Sequence, residues 1–384
     1  MANVFSKELE VSNFRSGSDL KVLRSKISYI MEIFESAGAE EVEIPALLDS
    51  KVLIDLYGED LRSRAFVTYD PVAGEKILRP DFTVPIAEMH IASERKTAKY
   101  SYAGPVWRSQ SFGSSRPKEY YQVGVEYFHQ GCSTLADADV FSLFLNSVKE
   151  FRLEIQVGDM GILRSLVLDL EISDPKKRLL LRHLWRPDRF RNLLKQFSRK
   201  NSTSEIYTEY QEALSYNKSK AYICSKGSVI GLRSVEDVEK RMTELLEEDS
   251  SKLVSNTAVK IAEEILSLKC PLLGAVDKLS KYVSLGPKYL EAYNNLYNRV
   301  EAMNQLGIKL NTLTFATSFG RSSLEYYDGF IFSMNLKNRP ELPPIVLGGR
   351  YDELTKVLSK GLQLPAIGGV VRPEVLSFSG GTHK

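Results

Sequence analysis

Apolar and polar residues alternate along Glu119-Tyr-Tyr-Gln-Val-Gly-Val-Glu-Tyr127, and β-branched and aromatic residues recur through Tyr102-Ala-Gly-Pro-Val-Trp-Arg108. Both stretches read as strands, and Gly113-Ser-Ser-Arg-Pro117 between them has turn chemistry, so a long hairpin is expected. Alternation places Gln122, Gly124 and Glu126 on one face and Tyr121, Val123, Val125 and Tyr127 on the other. Arg108 ends the first strand and Asp81 lies upstream in Arg79-Pro-Asp-Phe-Thr-Val-Pro85. Either both signs of charge converge there on a small zwitterion, or the charges pair with one another on a solvated face.

Elsewhere the period is helical. Leu20, Leu23, Ile27, Ile30, Met31 and Phe34 predict a helix over 18–37, with Ser18 as its cap and Gly38 just beyond its end. A short strand, Val42-Glu-Ile44, follows. Val140, Phe141, Phe144, Leu145 and Val148 predict a second helix from Asp137 to Phe151, leading into an alternating strand from Leu153 to Val157. Gly158-Asp-Met-Gly161 lacks the lysine and hydroxyl residues of a phosphate loop and reads as a turn.

From about 165 to 305 helical spacing dominates, through Leu179–Leu184, Phe190–Phe197, Val235–Leu246 and Val259–Leu268, with a capping box at Ser234-Val-Glu-Asp237. His183-Leu-Trp-Arg-Pro-Asp-Arg-Phe-Arg191 is basic and aromatic, fitting a partner surface or, more commonly, a core-facing amphipathic helix. Strand character returns at Thr314–Thr317, Tyr326–Met334, Val346–Tyr351 and Ala366–Val371, with a turn at Arg321-Ser-Ser323.

Composition adds exclusions. In 384 residues, 43% are hydrophobic and 26% charged, which suits a large soluble fold, and a net charge of +2 gives no strong electrostatic footprint for nucleic acid. The amino terminus does not read as a signal peptide and no apolar run is of membrane length, so a cytoplasmic protein is expected. Cys132, Cys224 and Cys270 are odd in number and widely spaced, and four histidines are scattered, so neither a disulfide framework nor a metal site is indicated.

Arg79-Pro-Asp-Phe-Thr83, Gly104-Pro-Val-Trp-Arg108 and Tyr121-Gln-Val-Gly-Val-Glu126 resemble the substrate loop and second motif of class II aminoacyl-tRNA synthetases, specifically histidyl-tRNA synthetase. Leu324-Glu-Tyr-Tyr327 and Leu347-Gly-Gly-Arg-Tyr-Asp352 extend the resemblance over most of the chain, and the helix at 18–37 with Val42–Pro45 resembles the dimerisation motif. The resemblance implies an α+β fold: an antiparallel sheet flanked by helices, with core segments at 1–165 and 306–384 and a mainly helical insertion at 166–305. It further implies a histidine pocket of Asp81, Thr83, Tyr102, Arg108, Gln122, Glu126, Glu325, Tyr326 and Tyr327.

The departures are equally informative. Where histidyl-tRNA synthetases carry a charge-stabilising arginine before the paired tyrosines, this chain has Ser322; where the third motif has its ATP-clamping arginine it has Val375, with Arg372 in place of a glycine. A serine supplies no cation to a developing phosphorane. The family's anticodon domain, roughly a hundred residues, is not expected within the remaining length. An intact amino-acid half beside a dismantled ATP half resembles the regulatory subunit of ATP phosphoribosyltransferase. That resemblance implies a non-catalytic homodimer within a hetero-oligomer with the short-form catalytic subunit, histidine as feedback effector in the first step of histidine biosynthesis, and no cofactor. The alternatives are a divergent adenylate-forming enzyme, which would need Arg321, Arg350 or Arg372 for ATP, and a tRNA-binding module.

Overall fold

A computed structural model describes residues 15–50, 65–111, 113–114, 116–184, 186–199, 205–227, 234–250, 252–317 and 326–379. The first helix, α1 (Gly17–Ser36), buries Leu23, Ile30, Met31 and Phe34, one stripe at the helical period. Ser16 rather than Ser18 precedes its first turn, and Gly38 takes the left-handed backbone that ends it. Two strands follow, β1 (Glu40–Glu41) and β2 (Leu47–Asp49), then β3 (Val67–Asp70), β4 (Gly74–Leu78), α2 (Thr83–Ala92) and the hairpin β5 (Ala98–Trp107) and β6 (Glu119–Phe128). Pairing begins at Glu40, slightly ahead of the expected strand, and Val42 extends it through a backbone bond to Ser101.

Helix α3 (Ser133–Ser147) starts four residues before the expected Asp137. Asp137 therefore lies inside the helix, its carboxylate fully buried and engaged by Arg299 and Arg350. Next come β7 (Leu153–Asp159) and α4 (Met160–Asp169), joined without a loop. Gly158–Gly161 is therefore not a free turn; Asp159 caps α4 by accepting the Gly161 amide at 2.7 Å.

The helical stretch comprises α5 (Asp174–Arg182), α6 (Pro187–Phe197), α7 (Glu205–Ser215), α8 (Ser219–Ser225), α9 (Val235–Ser250) and α10 (Asn256–Ser267). The capping box at the start of α9 is formed reciprocally between Ser234 and Asp237. A strand, β8 (Lys269–Pro271), then interrupts the helices before α11 (Leu272–Ser280) and α12 (Pro287–Gln305). The chain returns through β9 (Leu313–Ala316), β10 (Phe330–Leu336), β11 (Val346–Arg350), α13 (Asp352–Leu358) and β12 (Ala366–Val371). Tyr326 and Tyr327 precede β10 rather than opening it. The backbone just after them bonds elsewhere, Asp328 to Arg350 and Gly329 to Met160. The expected Arg321–Ser323 turn lies outside the described residues, as does Trp185.

Among the described residues, nine strands form one sheet in the order β1-β5-β6-β12-β11-β10-β7-β9-β8, and β2-β4-β3 form a small second sheet. The centre from β5 to β7 is antiparallel throughout; parallel pairing occurs where β1 joins β5 and where β9 joins β7. Helices α1, α3 and α12 cover one face, where Phe34, Phe144 and Phe332 interlock at 5.3 and 5.6 Å. The opposite face of β6 and β12 carries the candidate site. No helix among the described residues is long and apolar enough to cross a membrane.

Candidate functional site

Glu126 lies on β6, at a position where the alternation turns its side chain away from the α3 layer. It is buried, and three hydroxyls converge on it. Thr83 donates to Oε1 at 2.7 Å, Tyr102 donates to the same oxygen at 3.2 Å, and Tyr351 donates to Oε2 at 2.5 Å. Each donor comes from a different element: the start of α2, the middle of β5, and the residue after β11. Tyr326 extends the chain of contacts by donating to Thr83 Oγ1 at 3.2 Å. Tyr327 packs edge-on against Tyr326, with ring centroids 4.9 Å apart.

Close backbone approach makes this possible. Gly368 on β12 lies directly opposite Glu126, and a Cβ there would stand 1.7 Å from Glu126 Oε2. Gly124 does the same for Tyr102, whose ring end would be 2.4 Å from an added Cβ. Tyr102 is in turn stacked on Phe82 at 4.3 Å.

Burial dominates the electrostatics. It pushes the Glu126 carboxyl up to about 7, although its hydrogen bonds to Tyr351, Thr83 and Tyr102 favour the charged form. Asp81 is also buried and shifted upward by desolvation, opposed by Arg108 and by the Val84 and Thr83 amides. Asp81 Oδ1 and Gln122 Oε1 are buried without a hydrogen-bond partner among the described residues. Orphaned acceptors on the face that carries the Glu126 carboxylate ask for donors, so the site suits a ligand rich in N–H groups or carrying positive charge. Arg108, anchored by Nε to the Pro80 carbonyl at 2.9 Å, supplies the opposite sign at the same place.

The structure therefore brings together Asp81, Thr83, Tyr102, Arg108, Glu126, Tyr326 and Tyr327, with Gln122 farther along the same face of β6, opposite Gly104. Glu325 lies outside the described residues. Tyr351 is a direct partner of Glu126 that sequence reasoning placed in a motif but not in the site. Its signal was the Gly-Gly-Arg-Tyr-Asp run, which also supplies Arg350 to a different structure. Arg350 and Arg299 grip the buried Asp137 at 2.7 Å each, with Arg299 also at 2.6 Å from Asp159 and Arg350 at 2.9 Å from Asp352. His129, kept neutral by burial and by Arg350 with its pKa down at about 4, contacts the same guanidinium at 3.1 Å. This network locks α3, β7, β11 and α12 beneath the site.

The model of the family described as histidyl-tRNA synthetase matches residues 15–250 and 237–376. The chain belongs to that family. Within the family, one similar curated protein is the ATP phosphoribosyltransferase regulatory subunit of Allorhizobium ampelinum, 27% identical over 353 residues that span 88% of this chain and 93% of that one. Another is its namesake from Sinorhizobium fredii, 26% identical over 352 residues, covering 87% and 91% of the two chains.

Solved structures place the fold among the class II aminoacyl-tRNA synthetases. A structure titled ATP phosphoribosyltransferase regulatory subunit/histidyl-tRNA synthetase, from Bacillus halodurans, aligns with a TM-score of 0.65 at 19% identity, covering 96% of this chain and 82% of that one. A histidine–tRNA ligase subunit from Alicyclobacillus acidocaldarius aligns at 0.58 and 21% identity, covering 96% of both.

Proposed function

We propose that the chain is the non-catalytic regulatory subunit of an ATP phosphoribosyltransferase, acting in the cytoplasm as a homodimer within a hetero-oligomer that includes the short-form catalytic subunit. In this reading histidine is the effector. Glu126, Asp81 and Gln122 receive its ammonium and imidazole donors, Arg108 meets its carboxylate, and the Tyr326 and Tyr327 rings wall the pocket. The core at 1–165 and 306–384 holds the effector; of the insertion at 166–305, the helices ahead of β8 are the added module, while β8 and α12 pack into the core.

The observation that carries the proposal is the asymmetry of the site. The amino-acid side has a buried, triply hydrogen-bonded Glu126 with orphaned acceptors nearby, while the third-motif arginine of the family is replaced by Val375, which is buried. The names of the curated relatives support the same reading. Feedback requires that histidine bind two states of the complex with unequal affinity, since a ligand indifferent to state shifts nothing.

The test is histidine binding by calorimetry alongside histidine-dependent exchange of pyrophosphate into ATP. Binding without exchange is expected, followed by histidine-sensitive activation when the short-form transferase is added. Robust exchange would overturn the proposal in favour of an adenylate-forming enzyme.

A further inference from the structure

The added helices carry a charge imbalance that the nearly neutral whole chain conceals. Between Asp174 and Arg199 stand nine lysines and arginines against two aspartates, an excess larger than the +2 of the full chain. Amphipathic packing sorts them. Helix α5 buries Lys176 and Leu180, so Arg178 and Arg182, offset by two residues, project to solvent from the opposite side. Helix α6 buries Phe190, Leu193, Leu194 and Phe197, and leaves Arg189, Asn192, Gln196 and Arg199 exposed in a row at steps of three and four. Asn192, Lys195, Gln196 and Arg199 line a shallow, open depression on that surface.

Some of these cations are matched within the chain. Arg191 pairs with Asp188 at 3.2 Å and Lys195 with Glu263 of α10 at 3.1 Å, while Lys177 donates to the Leu168 carbonyl at 2.8 Å. Arg178, Arg182, Arg189 and Arg199 have no carboxylate partner among the described residues. Helix α9 packs against α5 and is acidic, but Glu236 is held by Lys220 at 2.9 Å, Asp237 by Ser234 at 3.0 Å and Glu244 by Arg241 at 3.2 Å. The turn between α5 and α6 draws the two rows together, with the Arg186 amide on the His183 carbonyl at 2.9 Å. Desolvation lowers the His183 pKa, and Arg189, Arg186 and Arg182 push it the same way. Like charges four residues apart, as at Arg178 and Arg182, work against their own helix. The row is a cost to the isolated chain that anions from outside would relieve.

A protein surface fits this row better than a polynucleotide. Exposed Asp174 and Asp188 interrupt it and would repel a continuous phosphate chain. Phe190 and Phe197 are buried, so neither offers a ring for a base to stack on. Discrete guanidinium forks suit discrete carboxylates, each held bidentately.

We propose that the outward faces of α5 and α6 dock a carboxylate-rich surface of the catalytic subunit, with Arg178, Arg182, Arg189 and Arg199 pairing across the interface. The inference rests on the regulatory-subunit reading and adds to it the surface and the chemistry of the contact. Opposite charges at such an interface steer the encounter, so they act chiefly on the rate of association.

Surface interferometry with the full chain and the short-form transferase tests it, comparing the wild type with Arg182→Glu/Arg189→Glu and with Arg178→Glu/Arg199→Glu. Binding by the wild type that weakens with added salt is expected, with affinity about tenfold lower in each double variant, mostly through slower association. Histidine titration of the same preparations should give unchanged affinity, since these exposed side chains lie outside the Glu126 pocket. Wild-type affinity for the transferase in both variants overturns the docking surface and leaves the regulatory reading standing. A wild-type chain that does not bind the transferase at all refutes that reading, and this inference with it. Saturable binding of poly(U) at ~0.15 M salt, lost in the same variants, overturns the proposal in favour of an RNA surface.

Discussion

The phenol of Tyr351 donates to Glu126 Oε2 at 2.5 Å, joining residues that are 225 positions apart. The bond ties the end of β11 to the middle of the hairpin strand β6, so the Gly-Gly-Arg-Tyr-Asp run and the hairpin act as one unit. Tyr351→Phe keeps the ring and removes the donor. With fewer donors the carboxylate holds its proton more tightly, so the pH midpoint of histidine binding should move upward from about 7. Calorimetry of wild type and variant across the neutral range checks this; coincident midpoints would show that Tyr351 does not tune Glu126.

Glu126 also makes a prediction about stability. Its carboxyl titrates at about 7 in the folded chain against an ordinary 4.5, so the folded state holds an extra proton between those values. The associated stability is fully present below about pH 4.5 and is lost as pH rises through about 7, to a total of ~3 kcal/mol at ~1.36 kcal/mol per unit. Asp328, pushed up to about 7 by burial, titrates in the same window, and Asp81 shifts in the same direction. Glu126→Gln isolates the one contribution: its urea midpoint should vary less with pH than that of the wild type. Parallel pH profiles would be the contrary result.

Local pattern made much of this legible. The two-residue alternation at 119–127 located β6 and sorted its faces, because each residue's direction follows from its own neighbours. The stripe of Leu23, Ile30, Met31 and Phe34 located α1 in the same way. What escaped was long-range. Asp137 was expected at the start of a helix, and only its meeting with Arg299, 162 residues later, and Arg350, 213 residues later, shows it as a buried anion inside α3. Gly158–Gly161 reads as a turn, and the cap made by Asp159 is what converts it into the start of α4. Tyr351 was visible as a motif residue, but nothing within its own segment says that it points at Glu126.

Gly368 should tolerate no side chain. The methyl carbon of Gly368→Ala would fall 1.7 Å from Glu126 Oε2 and 2.6 Å from the Val125 carbonyl oxygen, and neither yields freely, since the first belongs to a carboxylate held by three hydroxyls and the second is strand backbone. Loss of histidine binding with a destabilisation of about 1–3 kcal/mol is expected. Thermal melts and titrations of the same preparation test it, and unaltered binding would contradict the close approach.

Arg350→Gln removes a buried cation from a cluster in which Asp137 and Asp352 depend on it. Leaving acids undercompensated in the interior should cost about 3–5 kcal/mol in urea unfolding. Lys220→Gln, at the solvent-exposed pair with Glu236, should leave the midpoint unmoved and serves as the control.

Among the described residues, the nine-stranded sheet ends at β1, two residues long, on one side and at β8, three residues ending in Pro271, on the other. Proline offers no amide hydrogen, and so short an edge exposes few unpaired backbone groups as a template. A second molecule cannot readily extend the hydrogen-bonded ladder from either margin. Growth of this sheet strand to strand is thereby disfavoured, so any partner that meets its margins has to be chosen by side chains rather than by shared backbone bonds.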